Sequence, residues 1–180
     1  DYRLELRKIR FDRHMLRQII QNGVPSGFQN SVIAIANVFV QSNINAFGKM
    51  AMAGCGAYSK VEGFAFLPVT CFTMAITTFV GQNLGAKQYD RAKKGAKFGI
   101  LCSISIAELI GITIYTAAPV LIAAFNRDPD VIHYGVMQAR TIALFYCLLA
   151  FTHCIAAVLR GSGNAAVPMI VLLCVWCLFR

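Results

Sequence analysis

Residues 81–97 read GQNLGAKQYDRAKKGAK and lie between two apolar runs of about 30 residues each, longer than a membrane crossing requires. Gly81 and Gly85 are suited to ending a helix, and five Lys and Arg residues follow them. Basic residues of this kind hold a short connection on the cytoplasmic side of a membrane. The stretch therefore predicts a turn between two membrane-spanning helices.

Composition indicates a membrane protein. Hydrophobic residues make up 57% of the chain and charged residues 14%, which is unusual for a soluble domain. Lys and Arg (17) outnumber Asp and Glu (8), but they are concentrated in two short tracts and not spread over a polar surface, which argues against nucleic acid as a partner. The tracts contain Arg3, Arg7, Lys8, Arg10, Arg13 and Arg17, and then Lys87, Arg91, Lys93, Lys94 and Lys97.

Five apolar segments are long enough to cross a hydrocarbon core of about 30 Å as helices. They cover approximately residues 19–47, 52–80, 98–125, 131–159 and 167–178. The basic tracts and Arg160 occupy alternate connections, which predicts that the N-terminal tail is cytoplasmic. We expect an all-α, polytopic integral membrane protein, with a cytoplasmic amphipathic linker over residues 1–18 and an incomplete transmembrane bundle over residues 19–180.

Signatures of enzymes and of cofactor sites are missing from the sequence. It contains no zinc-protease, nucleophile-elbow, phosphate-loop or dinucleotide motif. Cys174 and Cys177 form a C-x-x-C, but no second pair accompanies it at metal-ligand spacing. We expect no enzymatic activity, no metal and no cofactor.

Amides form a stripe along the first predicted span. Asn30, Asn37, Gln41 and Asn45 are spaced by seven, four and four residues, which places them on one helix face. Amides that face lipid are costly, so this face should look at another helix or at a water-filled cavity. Both a substrate-lining role and simple bonding between helices remain open.

Charged residues inside the later spans are candidates for ion coupling. Glu62 and Glu108 are carboxylates within apolar segments, and such groups are functional candidates by default. Arg140 in the fourth span is the natural partner for Glu108. The alternatives are a Glu62 that reaches the membrane interface and a neutral, hydrogen-bonded Glu108. Pro68 and Pro119 predict bends in the second and third spans.

Five motifs together resemble the second lobe of the multidrug and toxic compound extrusion (MATE) transporters. In chain order they are NGVPSGFQNS at residues 22–31, NINAFG at 43–48, KVEGFAFLPV at 60–69, FVGQNLGAKQYDRAKKG at 79–95 and LRGSGNAAVPM at 159–169. The resemblance implies helices seven to eleven of a twelve-helix fold, the last one truncated. It also implies export of organic cations or amphiphiles in exchange for H⁺ or Na⁺ across the bacterial plasma (inner) membrane. The partners implied are amphiphilic small molecules, the lipid bilayer and an N-terminal six-helix lobe of the same polypeptide.

The sequence departs from one pattern known in this family. Some branches carry a Glu in the seventh helix and an Asp in the tenth as a cation site, whereas this chain has amides in the former and no carboxylate in the latter. We therefore expect a cavity lined by Gln29, Asn30, Asn37 and Gln41, with Glu62, Glu108 and Arg140 as ion-coupling candidates. A lipid-intermediate flippase of the wider superfamily and a non-transporting membrane scaffold are the alternative functions.

Overall fold

The computed structural model describes residues 12–179, which contain helices and no β-strand. The helices are α1 (Arg13–Ala46), α2 (Lys49–Gly85), α3 (Tyr89–Ala123), α4 (Pro129–Ala143), α5 (Tyr146–Gly161) and α6 (Ala166–Phe179). The predicted all-α class is confirmed. Residues 1–11 of the predicted linker lie outside the described residues, and residues 13–18 belong to α1.

Local chemistry explains where several helices begin and end. The Asp12 carboxylate caps α1 by accepting hydrogen bonds from the amides of His14 and Met15. Gly48 precedes α2 with a φ of 98°, a conformation that favours glycine. α2 ends at Gly85, as the sequence predicts, but α3 begins at Tyr89, so most of the basic tract is helical and not part of the turn.

Two helices of the described part are long and apolar enough to cross a bilayer by themselves: α2 with 37 residues and α3 with 35. Taken together, α4 and α5 pass the same test of length and composition, and they count as a third span if the bent pair crosses the membrane as one. α1 has 34 residues and falls short of that test, because its many amides lower its hydropathy. The second and third predicted spans are thus supported, whereas the first and fifth stay predictions.

The fourth predicted span, residues 131–159, is not a single helix. It consists of α4 and α5, which are bent by 56° relative to each other at Leu144 and Phe145. The Phe145 amide donates to the Ile142 carbonyl at 2.9 Å, a three-residue bond in place of the four-residue bond of an α-helix. We call Leu144 and Phe145 the α4–α5 break.

Small residues bring the helices into close contact. A β-carbon added to Gly54 of α2 would lie 2.7 Å from the Val131 carbonyl oxygen of α4, and one added to Gly161 of α5 would lie 2.6 Å from the Thr77 carbonyl oxygen of α2. Alanines occupy much of the buried interface, namely Ala57, Ala107, Ala118, Ala139, Ala143, Ala150 and Ala157. Such close packing holds membrane helices together where lipid supplies no hydrophobic drive between them.

Candidate functional site

An open crevice of about 390 Å³ lies between the end of α1, the start of α2 and one face of α4. We call it the α1–α2–α4 crevice. Apolar, aromatic and sulfur-containing side chains form most of its wall, and polar groups come mainly from α4; the lining is Ile44, Phe47, Ala51, Cys55, Tyr134, Met137, Gln138, Thr141 and Ile142. Apolar walls with a few polar groups are typical of small-molecule sites.

Gln138 lines this crevice and carries an unpaired hydrogen-bond acceptor. Its side-chain oxygen is buried and accepts no hydrogen bond from the described residues. Thr141 is different, because its hydroxyl donates to the Met137 carbonyl at 2.8 Å. Rotation of this side chain would turn the oxygen into the crevice, where a ligand N–H or O–H donor, or a positive charge, would satisfy it. Gln138 is not among the site residues predicted from the sequence, although a lone amide within the fourth predicted span was the available signal.

The amide stripe of α1 leads towards the same crevice. Asn30, Asn37 and Gln41 are exposed, as expected of residues that share one face of a poorly covered helix, and the Gln41 amide donates to the Asn45 side-chain oxygen at 3.2 Å. Ile44, which lines the crevice, lies one turn beyond Gln41 and two turns beyond Asn37.

Gln29 lies on a different side of α1 from the exposed amides. It is 7% exposed and buried, whereas its neighbour Asn30 is exposed. Of the four predicted cavity-lining residues, three therefore share an open face and Gln29 does not.

Glu108 reaches the α4–α5 break from α3. With Gly111, Tyr115, Ala143 and others it lines a small cavity of about 130 Å³, and its Oε2 is buried without a hydrogen-bond partner among the described residues. Gly111 permits this approach, since a β-carbon there would lie 2.8 Å from the Ala143 carbonyl oxygen. This carboxylate thus lies where the backbone ladder of the fourth predicted span is interrupted.

Glu62 lies on α2, and a pair of buried tyrosines connects α2 to the α4–α5 break. The hydroxyls of Tyr58 and Tyr146 are 3.2 Å apart, and the two side chains are 0% and 2% exposed. Tyr146 is the first residue of α5, so this bond ties α2 to the break. Glu62 is half-buried and within electrostatic range of both phenols. The structure therefore brings both predicted carboxylates towards one interruption in the bundle.

The predicted pairing of Arg140 with Glu108 is wrong. Arg140 Nε donates to the Tyr115 carbonyl at 3.4 Å, and its guanidinium lies 5.5 Å from the centre of the Tyr115 ring. α3 and α4 run antiparallel, which places Arg140 level with Tyr115. Glu108 is seven residues away along α3, or about 10 Å.

The described part of the chain shows no metal-binding cluster, and His153 makes a packing contact. His153 packs edge-on against Phe66, with ring centres 5.2 Å apart. No three His, Cys, Asp or Glu residues of residues 12–179 lie together as a metal site would require.

Comparison with known proteins gives the relationship of this chain. The family model described as MatE matches residues 25–180. The chain is 28% identical over 155 residues to the probable multidrug resistance protein NorM of Thermotoga maritima, covering 86% of this chain and 33% of that protein. It is 23% identical over 165 residues to the probable multidrug resistance protein YoeA of Bacillus subtilis, covering 92% of this chain and 36% of that protein.

A third relative, from Shewanella oneidensis, is named an FAD transporter and is 23% identical over 150 residues, covering 83% of this chain and 33% of that protein. The chain spans about a third of the length of these curated relatives. The family match covers most of the chain, including all three elements that form the crevice. The chain therefore belongs to the MatE family, the MATE membrane transporters that its motifs resemble.

Proposed function

We propose that the chain forms part of the second lobe of a secondary active transporter that exports organic cations and other amphiphiles. The α1–α2–α4 crevice is the observation that carries this proposal. It combines exposed aromatic and thioether groups, such as Tyr134 and Met137, with the side-chain amide of Gln138, whose oxygen is buried and unpaired. Aromatic faces and carbonyl oxygens attract organic cations, and a flexible Met adapts to ligands of different shape.

Charge favours this substrate class over anionic ones. None of the residues lining the crevice is Lys or Arg. A dinucleotide such as FAD, or the lipid pyrophosphates of a flippase, would need basic side chains to hold its phosphates. Arg140 is on α4 but bonds to Tyr115 of α3 and does not line the crevice.

The exposed amides of α1 support a proposal for the position of the partner lobe. Asn30, Asn37 and Gln41 would be unfavourable against lipid, and a water-filled path between two lobes removes that cost. We propose that the N-terminal six-helix lobe of the same polypeptide faces them. The membrane would be the bacterial plasma membrane, with the N-terminal tail in the cytoplasm, as the alternating basic connections favour.

Ion coupling is assigned in this proposal to the α4–α5 break. Glu62 and Glu108 approach it from two helices, and discontinuous helices commonly form ion sites in transporters. Arg140 ties α4 to α3 one turn before the break. Inward movement of H⁺ or Na⁺ at these carboxylates would drive export, with no bound cofactor required.

Substitutions of the polar groups in the full-length protein test the substrate path. We expect Asn37→Leu, Gln41→Leu and Gln138→Leu to weaken transport of organic cations by about tenfold, the effect of one lost hydrogen bond to a charged donor. Efflux of a fluorescent cation from cells that lack their own exporters provides the measurement.

Val38→Leu is the matched control, because Val38 is exposed on α1 beside Asn37 and is already apolar. Membrane levels of all variants should equal wild type, which separates transport from insertion. Unchanged efflux of every compound tested, in all three polar variants, would contradict the proposed path.

A further inference from the structure

A second groove lies at the basic end of the bundle, away from the α1–α2–α4 crevice. It has a volume of about 310 Å³ and is formed by the end of α2, the first turns of α3 and the end of α5. Its lining includes Tyr89, Lys93 and Lys97 of α3 and Ile155 and Val158 of α5. We call it the basic groove.

Positive charge lies at the edge of this groove, because Lys93 and Lys97 line it mainly with their aliphatic stems. Lys93 and Lys97 are one turn apart on the same face of α3, both are exposed, and the lining contains no carboxylate. Two like charges at this spacing repel each other, and a bound anion would relieve that repulsion. The nearest acid along α3 is Asp90, in the first turn of the helix and outside the lining.

The remainder of the groove is apolar and extends away from the charges. Ile100, one turn beyond Lys97, continues the lining towards the middle of the bundle, and Ile155 and Val158 face it from α5. Ile155 is 39% exposed, so the apolar part is open to whatever surrounds the helices. These features suit a molecule that carries an anionic head at one end and a hydrocarbon chain at the other.

We propose that the basic groove binds one anionic phospholipid, with its phosphate between Lys93 and Lys97 and an acyl chain over Ile100, Ile155 and Val158. Basic pockets between membrane helices take lipid head groups in this way. The bound lipid bridges α2, α3 and α5 at one end of the bundle. This site is separate from the crevice and does not depend on what the protein transports.

Lipid titration of the purified, delipidated full-length protein in detergent micelles tests the site, with bound lipid counted by native mass spectrometry. We expect saturable binding of phosphatidylglycerol and much weaker binding of phosphatidylcholine. The double variant Lys93→Gln, Lys97→Gln should bind phosphatidylglycerol about 25-fold more weakly, since each lysine near an anionic lipid contributes about fivefold.

Arg91→Gln with Lys94→Gln is the matched control. It removes the same charge from the same turns of α3, but neither residue lines the groove. We expect this control to keep wild-type affinity. An equal loss of affinity in the two double variants would reduce the site to general electrostatic attraction and overturn the proposal.

Two further outcomes would also overturn it. Equal affinity for phosphatidylcholine would show that the lysines do not select the head group. Full displacement of the lipid by glycerol 3-phosphate at the same concentration would show that the groove takes a phosphate alone and that the apolar part contributes nothing.

Discussion

Individual polar residues decide how the middle of this bundle is held together. Tyr58 and Tyr146 are fully buried, and each hydroxyl has the other as its partner at 3.2 Å. A buried hydroxyl that loses its partner keeps the whole cost of its desolvation. The pair therefore contributes more to the choice of one helix arrangement over others than to net stability. Their bond fixes the position of α5 relative to α2.

A double-mutant cycle measures this tyrosine pair. We expect Tyr58→Phe and Tyr146→Phe each to lower the free energy of unfolding by about 1 kcal/mol, and the double variant to lose less than the sum. The expected coupling is about 0.6 kcal/mol, which is typical of hydrogen bonds between membrane helices. Unfolding in mixed micelles by circular dichroism gives the values, and Tyr134→Phe, at an exposed tyrosine, serves as control. Strictly additive losses would show that the two hydroxyls do not interact.

The candidate site was partly predictable from the residues alone. A carboxylate within an apolar segment costs free energy to bury, so Glu62 and Glu108 could be chosen as candidate site residues from the sequence alone. The partner of Arg140 could not be predicted, because it depends on the register of α3 against α4. A shift of seven residues along α3 replaces Glu108 with Tyr115 as the neighbour of Arg140. Gln138 became a candidate because tertiary packing leaves its oxygen buried and without a partner.

At the scale of the helices, glycines set the distance between α2 and α4. Gly54 faces backbone atoms of Val131 and Gly135, whereas Gly56, two residues later, has nothing within 4 Å of its added β-carbon. Backbone cannot move aside as a flexible side chain can. The close crossing of the two helices therefore depends on Gly54 and not on Gly56.

Alanine substitutions at these two glycines should have opposite effects. Gly54→Ala is expected to destabilise the bundle by about 1–3 kcal/mol through overpacking, while Gly56→Ala should stabilise it by about 0.5–1 kcal/mol through helix propensity. The same micelle unfolding assay compares the two variants. Similar effects at both positions would contradict the close approach of α2 and α4.

Helix ends were easier to predict than the interruption within a helix. The end of α2 at Gly85 and the start of α4 at Pro129 follow from turn and cap chemistry. By contrast, Pro68 and Pro119 lie inside helices that continue through them, while the α4–α5 break contains neither Pro nor Gly. The contacts of Tyr146 and Gly111 hold that break, and such contacts are not visible in a local sequence pattern.

At the scale of the whole molecule, α2 to α5 form the packed unit and α1 lies at its edge. The buried core consists of residues from α2, α3, α4 and α5, whereas most side chains of α1 are exposed. A lone bundle in water would expose this much apolar surface at a high free-energy cost. A bilayer would cover the apolar surface, and a second lobe would cover the amides.

Coupling between ion and substrate movement belongs to this scale, because it requires both lobes and a membrane. In the full-length protein we expect Glu62→Gln or Glu108→Gln to remove the dependence of efflux on external pH or Na⁺, since a glutamine can neither carry a proton nor balance a cation. This dependence is measured as efflux from energised vesicles over a series of pH values and Na⁺ concentrations. Asp90→Asn, at an exposed acid in the first turn of α3, is the control and should behave as wild type. Wild-type dependence in both glutamate variants would exclude these residues from coupling.

The α4–α5 break also constrains how the chain enters the membrane. α4 has 15 residues and α5 has 16, and at 1.5 Å per residue each is about 23 Å long, shorter than a hydrocarbon core of about 30 Å. Neither half is long enough to cross that core alone, so we expect the two to enter the membrane as one continuous segment. α2 and α3 are synthesised earlier, so Tyr58 and Gly111 are already in the bilayer when that segment arrives. We expect the bend to form after insertion, when this segment packs against α2 and α3.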